Sequence, residues 1–121
     1  MVFKHEDYKV TTADGLMGGK GVTTMFHWLN SDYALGHGRL FGINSLAPGD
    51  SIGYHQHKNE IEAYYILKGK AKLVDNGAEF IVGVGEGMLC ENMGSHSIEN
   101  IGDEQLDFIA CIMFTEQKKP E

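Results

Sequence analysis

Between Gly49 and Gly69 the sequence reads GDSIGYHQHKNEIEAYYILKG, which sets His55, His57 and Glu62 within one short stretch. Residues two apart on an extended strand point to the same side, so His55 and His57 form a chelating pair, with Tyr54 and Gln56 facing the other way. Lys58-Asn59-Glu60 is polar enough to turn the chain and return the Glu62 carboxylate toward the imidazoles. Two neutral imidazoles and one carboxylate suit a divalent first-row metal, and the absence of thiolate from the set argues against a closed structural zinc site. A fourth donor is then required from elsewhere. His96 is the candidate, in Ser95-His96-Ser97-Ile98-Glu99-Asn100, which reads as a short strand after a glycine-containing turn.

The elements that must hold these donors are strands. Sixteen glycines and two prolines punctuate short runs rich in Ile, Val, Phe and Tyr, leaving little room for helix. The expected strands are 22–29, 39–46, 51–57, 63–68, 71–75, 79–84, 87–91, 95–100 and 106–115. Residues 2–10 read as a loose lead-in with room for one strand, 11–21 as a glycine-rich loop without the Lys-Ser/Thr ending of a phosphate loop, and 30–38 as a further loop. Asp75-Asn76-Gly77 is a hairpin turn signal, because Asn-Gly readily takes positive φ. Many short antiparallel strands without helical crossovers imply an all-β jelly roll.

The motifs resemble those of the cupin family. The pattern Gly49, His55-Gln56-His57, Glu62, Gly69 is similar to the first cupin motif at every position, and Gly85, His96 and Asn100 match the second. Two positions depart: Glu91 stands where the family usually has Pro, and Met93 where it has Gly. The resemblance implies a cupin double-stranded β-helix, a jelly-roll barrel, in a small single-domain protein. Residues 39–116 would form the barrel, and 1–38 a strand and loop extension packed on it. It also implies one divalent transition metal, Fe, Mn, Ni or Zn, held by His55, His57, Glu62 and His96.

Composition narrows the partners. The 121 residues fit one domain, 42% of them hydrophobic, and no apolar run approaches the roughly 18 residues of a membrane span. The N-terminal residues lack the apolar core of a signal peptide, so a cytoplasmic location is expected. A formal net charge of −7, with no basic stripe beyond Lys118-Lys119, disfavours nucleic acid. Cys90 and Cys111 lack the close pairing of a redox or zinc motif and read as reduced, buried thiols. In 106–115 both alternating faces are apolar, which suggests a second copy as partner, a two-fold homodimer.

Three imidazoles and one carboxylate fill four positions of an octahedral metal and leave two. With a divalent ion and Glu62, the set carries one net positive charge and favours a small anionic oxygen ligand such as oxalate, a 2-oxo acid, an enediol or a sugar acid. Decarboxylase or dioxygenase chemistry is the first expectation. Redox-neutral isomerase or lyase chemistry, a non-catalytic binding module and a structural metal are the alternatives. Arg39, the only arginine, is the candidate carboxylate clamp, with Tyr54 and Tyr64 as further catalytic candidates and His27, His37 and Glu60 behind them.

Overall fold

The computed structural model describes residues 1–119 as two antiparallel sheets packed face to face. Strands β1 (Lys9–Asp14), β2 (Val22–Leu29), β3 (Gly38–Leu46), β10 (Leu106–Phe114), β5 (Glu60–Lys68) and β8 (Gly87–Cys90) make a six-stranded sheet in the order β1-β2-β3-β10-β5-β8. Strands β4 (Ser51–Gln56), β9 (Ser95–Asn100), β6 (Ala71–Asp75) and β7 (Ala78–Val82) make the four-stranded sheet in the order β4-β9-β6-β7. This is the all-β jelly-roll architecture expected from the sequence. Among the described residues no helix is long and apolar enough to cross a membrane.

Period-two alternation builds the core. On β10, Leu106, Phe108, Ala110 and Ile112 are buried, and on β5 Tyr64 and Ile66 meet them. Leu46, Ile52, Leu73 and Ile98 complete the same cluster from other strands. The outward residues of β10 behave differently: Ile109 and Cys111 are only partly covered and Met113 is half-exposed. Cys90 and Cys111 are both free thiols.

The N-terminal strand lies further along the chain than expected, running into the stretch read as loop. Residues 9–14, read as lead-in and glycine-rich loop, form the edge strand β1, paired with β2 from Lys9↔His27 to Asp14↔Val22. The chain then makes a 3-10 turn at Leu16–Gly18 that lies directly on β4. A side chain at Gly53 would sit 2.0 Å from the Met17 carbonyl oxygen, and one at Gly19 would sit 2.1 Å from that of Ser51. Only glycine permits this approach, and it brings Leu16 and Met17 over the end of the barrel that holds the histidines.

The Asn76-Gly77 hairpin turn forms as expected, with φ of 47° and 87° at its two central residues. The turn before His96 keeps the backbone that glycine usually supplies, since Met93 itself adopts a left-handed φ of 70°.

Candidate metal centre

A β-bulge brings the first histidine into the barrel. On β4, Ile52 pairs with Ile98 and is buried; strict alternation would then turn Tyr54 and Gln56 inward and His55 out. The register shift between Ile52 and His55 reverses that parity, so His55 lies directly opposite His96 on β9. His57 follows just beyond the strand, its backbone tied by Met93 N–H donating to the His57 carbonyl at 2.8 Å and His57 N–H donating to the Gly94 carbonyl at 2.9 Å. Glu62 comes from the inward face of β5, which also carries Glu60 and Tyr64.

These elements bring His55, His57, Glu62 and His96 together, with one donor atom from each lying within 4.8 Å of all the others. His57 Nε2 is 3.1 Å from His55 Nε2, 3.0 Å from His96 Nε2 and 3.0 Å from Glu62 Oε1. Glu62 Oε1 is 2.9 Å from His96 Nε2. Donors about 2.1 Å from one ion and at right angles to each other are about 3.0 Å apart, so these spacings fit adjacent corners of an octahedron.

Proton placement makes the same point. His55 Nδ1 donates to the Gly53 carbonyl at 2.6 Å, and His57 Nδ1 donates to the Glu60 carboxylate in a very short hydrogen bond. Their Nε2 lone pairs are thereby turned on one another and on a carboxylate oxygen, a repulsive arrangement that a shared cation relieves. The donor set therefore fits a divalent metal.

The surrounding charges keep the donors in usable form. Burial alone would push Glu62 up, but His57 and His96 hold its carboxyl down to about 2. Glu60 is also opposed by burial, yet Arg39 and His57 keep it below the ordinary carboxylate range. His57 is raised, chiefly by its contact with Glu62, whereas burial lowers His55. Burial raises Cys90 to about 11, with Asp75 adding to it, so this thiol stays protonated and outside the donor set.

Arg39 does not stand free in the cavity. Its Nε donates to Glu60 Oε1 at 3.0 Å and its Nη2 to Glu60 Oε2 at 2.9 Å, a bidentate clamp on the carboxylate that orients His57. Tyr64 is buried beside Glu62, its ring stacked on His96 at 5.0 Å between centroids and edge-on to Phe108 at 4.8 Å. Burial pushes its hydroxyl well above the usual range, and Glu62 adds to the effect. Tyr54 is half-exposed on the outward face of β4, away from the cluster. His27 sits elsewhere, its Nε2 2.7 Å from Thr11 Oγ1, and His37 lines an apolar hollow on the outer side of the barrel.

A cavity of about 240 Å³ opens beside three of the four donors, His55, His57 and Glu62. Apart from His55, His57, Glu62, Tyr64 and Arg39, its walls are largely apolar, with Leu16, Met17, Met25 and Ile52 among them. Asn44 also lines it. Sequence reasoning did not single out Asn44, Leu16 or Met17. The glycines at 19 and 53 are the only signal that the 15–19 turn lies against β4.

A jelly roll that gathers three imidazoles and a carboxylate inside it has the form of a cupin with a candidate metal site, and the cupin domain family matches residues 42–112. The chain belongs to that family. It is 36% identical over 113 residues to the oxalate-binding protein of Thermotoga maritima, covering 93% of each chain. The crystal structure of a predicted oxalate decarboxylase from Thermotoga maritima superposes with a TM-score of 0.90 at 36% identity, covering 94% of this chain and 99% of that one. The polyketide cyclase RemF of Streptomyces resistomycificus is similar in fold alone, with a TM-score of 0.74 at 18% identity over 97% of this chain and 80% of that one.

Proposed function

We propose that His55, His57, Glu62 and His96 hold one divalent transition metal and that the protein binds a small oxygen-rich chelating anion, such as oxalate or a 2-oxo acid, at the positions they leave open. The observation that carries this reading is the convergence of three Nε2 atoms and one carboxylate oxygen, spaced 2.9–3.1 Å along the measured edges, beside a cavity. The bound metal would supply Lewis acidity and the net positive charge that draws a chelating anion. The chain's own residues do the rest: Glu60 and Gly53 fix two imidazole tautomers, Arg39 fixes Glu60, and the apolar walls keep bulk water away. The name of the oxalate-binding relative supports the ligand class.

Binding without turnover is the form of this reading that the cavity favours. Decarboxylation or oxygenation needs a proton donor or acceptor beside the reacting atoms. The titratable side chains on the cavity wall are Arg39, His55, His57, Glu62 and Tyr64: three are donors themselves, Arg39 is held by Glu60, and the Tyr64 hydroxyl is held by Glu62. Decarboxylase or dioxygenase chemistry is the second reading, favoured by two open metal positions and by the predicted activity of the Thermotoga maritima structure. Calorimetric titration of oxalate into manganese-loaded and chelator-stripped protein tests the first: binding to the loaded form alone supports it, and binding to neither contradicts it. Release of carbon dioxide or uptake of oxygen by the loaded protein, lost on His96→Ala, would move the assignment to the second.

A two-fold homodimer through the outer face of the six-stranded sheet completes the proposal. Trp28, Phe41, Ile43, Ile109, Cys111 and Met113 line two apolar hollows that share Phe41. Light scattering checks it, with a 13.4 kDa particle as the contrary result.

A further inference from the structure

Two asparagines are buried inside the barrel, and they are treated in opposite ways. Asn100 Nδ2 donates to the Leu46 carbonyl at 2.9 Å and the Glu104 carbonyl at 2.8 Å, while its Oδ1 accepts from Gly102 N–H at 3.0 Å. That amide is a structural brace. Asn44 is 3% exposed, its Oδ1 has no partner among the described residues, and it lines the same cavity as His55, His57 and Glu62. Buried polar atoms without partners are rare and costly, so a conserved-volume apolar residue would suit this wall better if packing were its only role. The two other buried polar atoms without partners among the described residues, His96 Nδ1 and Thr23 Oγ1, belong to residues that do not line this cavity.

The register sets how far Asn44 lies from the donors. Glu62 is level with Ile112 and, through it, with Leu40 on β3. Asn44 is four residues further along β3, level with Phe108 and Ile66. At about 3.4 Å per residue the two levels are roughly 13 Å apart along the strands, far more than the length of oxalate. Tyr64 stands between the two levels, and the rest of the wall is apolar: Leu40 level with Glu62, Met25 paired with Asn44, and Ile52 from the facing sheet. Nothing cationic on the lining reaches the Asn44 level, since Arg39 is committed to Glu60 at the other end. A charged group delivered there would be buried without a counter-ion.

We infer that Asn44 is a specificity-determining residue that hydrogen-bonds the uncharged polar tail of a ligand whose acidic head chelates the metal. The inference rests on the metal and anion reading above and extends it: the ligand class is a 2-oxo or 2-hydroxy acid with an apolar middle and a hydroxyl or carbonyl group about four carbons from the head. A hydroxyl suits the site whichever way the Asn44 amide is turned, because it can donate to Oδ1 or accept from Nδ2.

The test compares oxalate, 2-oxohexanoate and 6-hydroxy-2-oxohexanoate by calorimetry on manganese-loaded full-length protein. Wild-type protein is expected to bind the hydroxylated six-carbon acid about tenfold or more tighter than its parent. Asn44→Leu should abolish that preference while leaving oxalate affinity as it was and the melting temperature equal or higher, since it removes an unpartnered buried amide rather than a brace. Asn44→Ala reads the same loss of preference should leucine disturb the wall. Equal affinity for the two six-carbon acids in wild-type protein, or a preference that survives in both variants, would overturn the assignment while oxalate binding stood. Failure of oxalate and both longer acids to bind the loaded protein would overturn the anion-binding reading and this one together.

Discussion

The two ends of this barrel are built on the same strands to opposite ends. Strand β5 turns Glu60 and Glu62 inward at one end and Ile66 at the other; β9 turns in His96 and then Ile98. At the apolar end, Phe108, Leu46, Ile66 and Ile98 are fully buried and contribute stability by leaving water. At the polar end, two carboxylates and two of the three imidazoles are buried, and burial there costs free energy unless charges are paired or a cation is shared. One half of the molecule holds the fold together without help, and the other spends that stability on pre-organising a site.

Substitutions that hit one end and spare the other separate the two halves. The largest effect is expected from Phe108→Ala, which should lower unfolding free energy by about 3–5 kcal/mol in denaturant titration while the folded fraction still takes up metal. Glu60→Gln should do the reverse: a fold of near-normal stability, with metal affinity weakened roughly 10–100-fold in competition with a chelator, because His57 loses the carboxylate that orients it. A stability loss as large as that of Phe108→Ala would mean the two ends are not separable in this way.

The response to pH sharpens the contrast by its sign. In the metal-free protein His57 is raised above its ordinary 6.5, so its contribution is fully present below 6.5 and is lost as pH rises through its folded-state value. His55, which burial lowers, acts below 6.5 and in the opposite sense. Metal binding requires neutral imidazoles and strengthens as pH rises through the same range. The melting temperatures of loaded and stripped protein should therefore diverge between pH 6 and pH 8; parallel curves would contradict the shared role of His57. The smallest effect is local: Met93→Gly relieves a left-handed φ of 70° and should stabilise the protein by about 1 kcal/mol or less, without changing metal affinity.

Much of this was legible in the residues. Alternation along 106–115 and the Asn76-Gly77 turn gave the strands, and the spacing of His55, His57 and Glu62 put three donors within reach of one another. The bulge between Ile52 and His55 was not legible, because alternation alone cannot say where one extra residue reverses the facing of a strand. The position of the edge strand β1 was not legible for a related reason: residues 2–10 leave room for one strand, but the Thr-Thr-Ala-Asp run that carries most of it is largely exposed and shows no apolar alternation. Arg39 invited a substrate role by being the only arginine, and its pairing with Glu60 depends on β3 and β5 being brought together by β10 between them. Asn44 could not be singled out at all, since a buried amide is marked only by the partners it lacks.

The central claim is that four side chains from three strands and the turn after β4 grip one ion. Titrating manganese into chelator-stripped protein and following the loss of the free-ion electron paramagnetic resonance signal tests it most directly. The account predicts one ion bound per chain in wild-type protein and none at the same concentrations in His96→Ala. Saturation that is unchanged in His96→Ala, or no uptake by the wild-type protein, would contradict it.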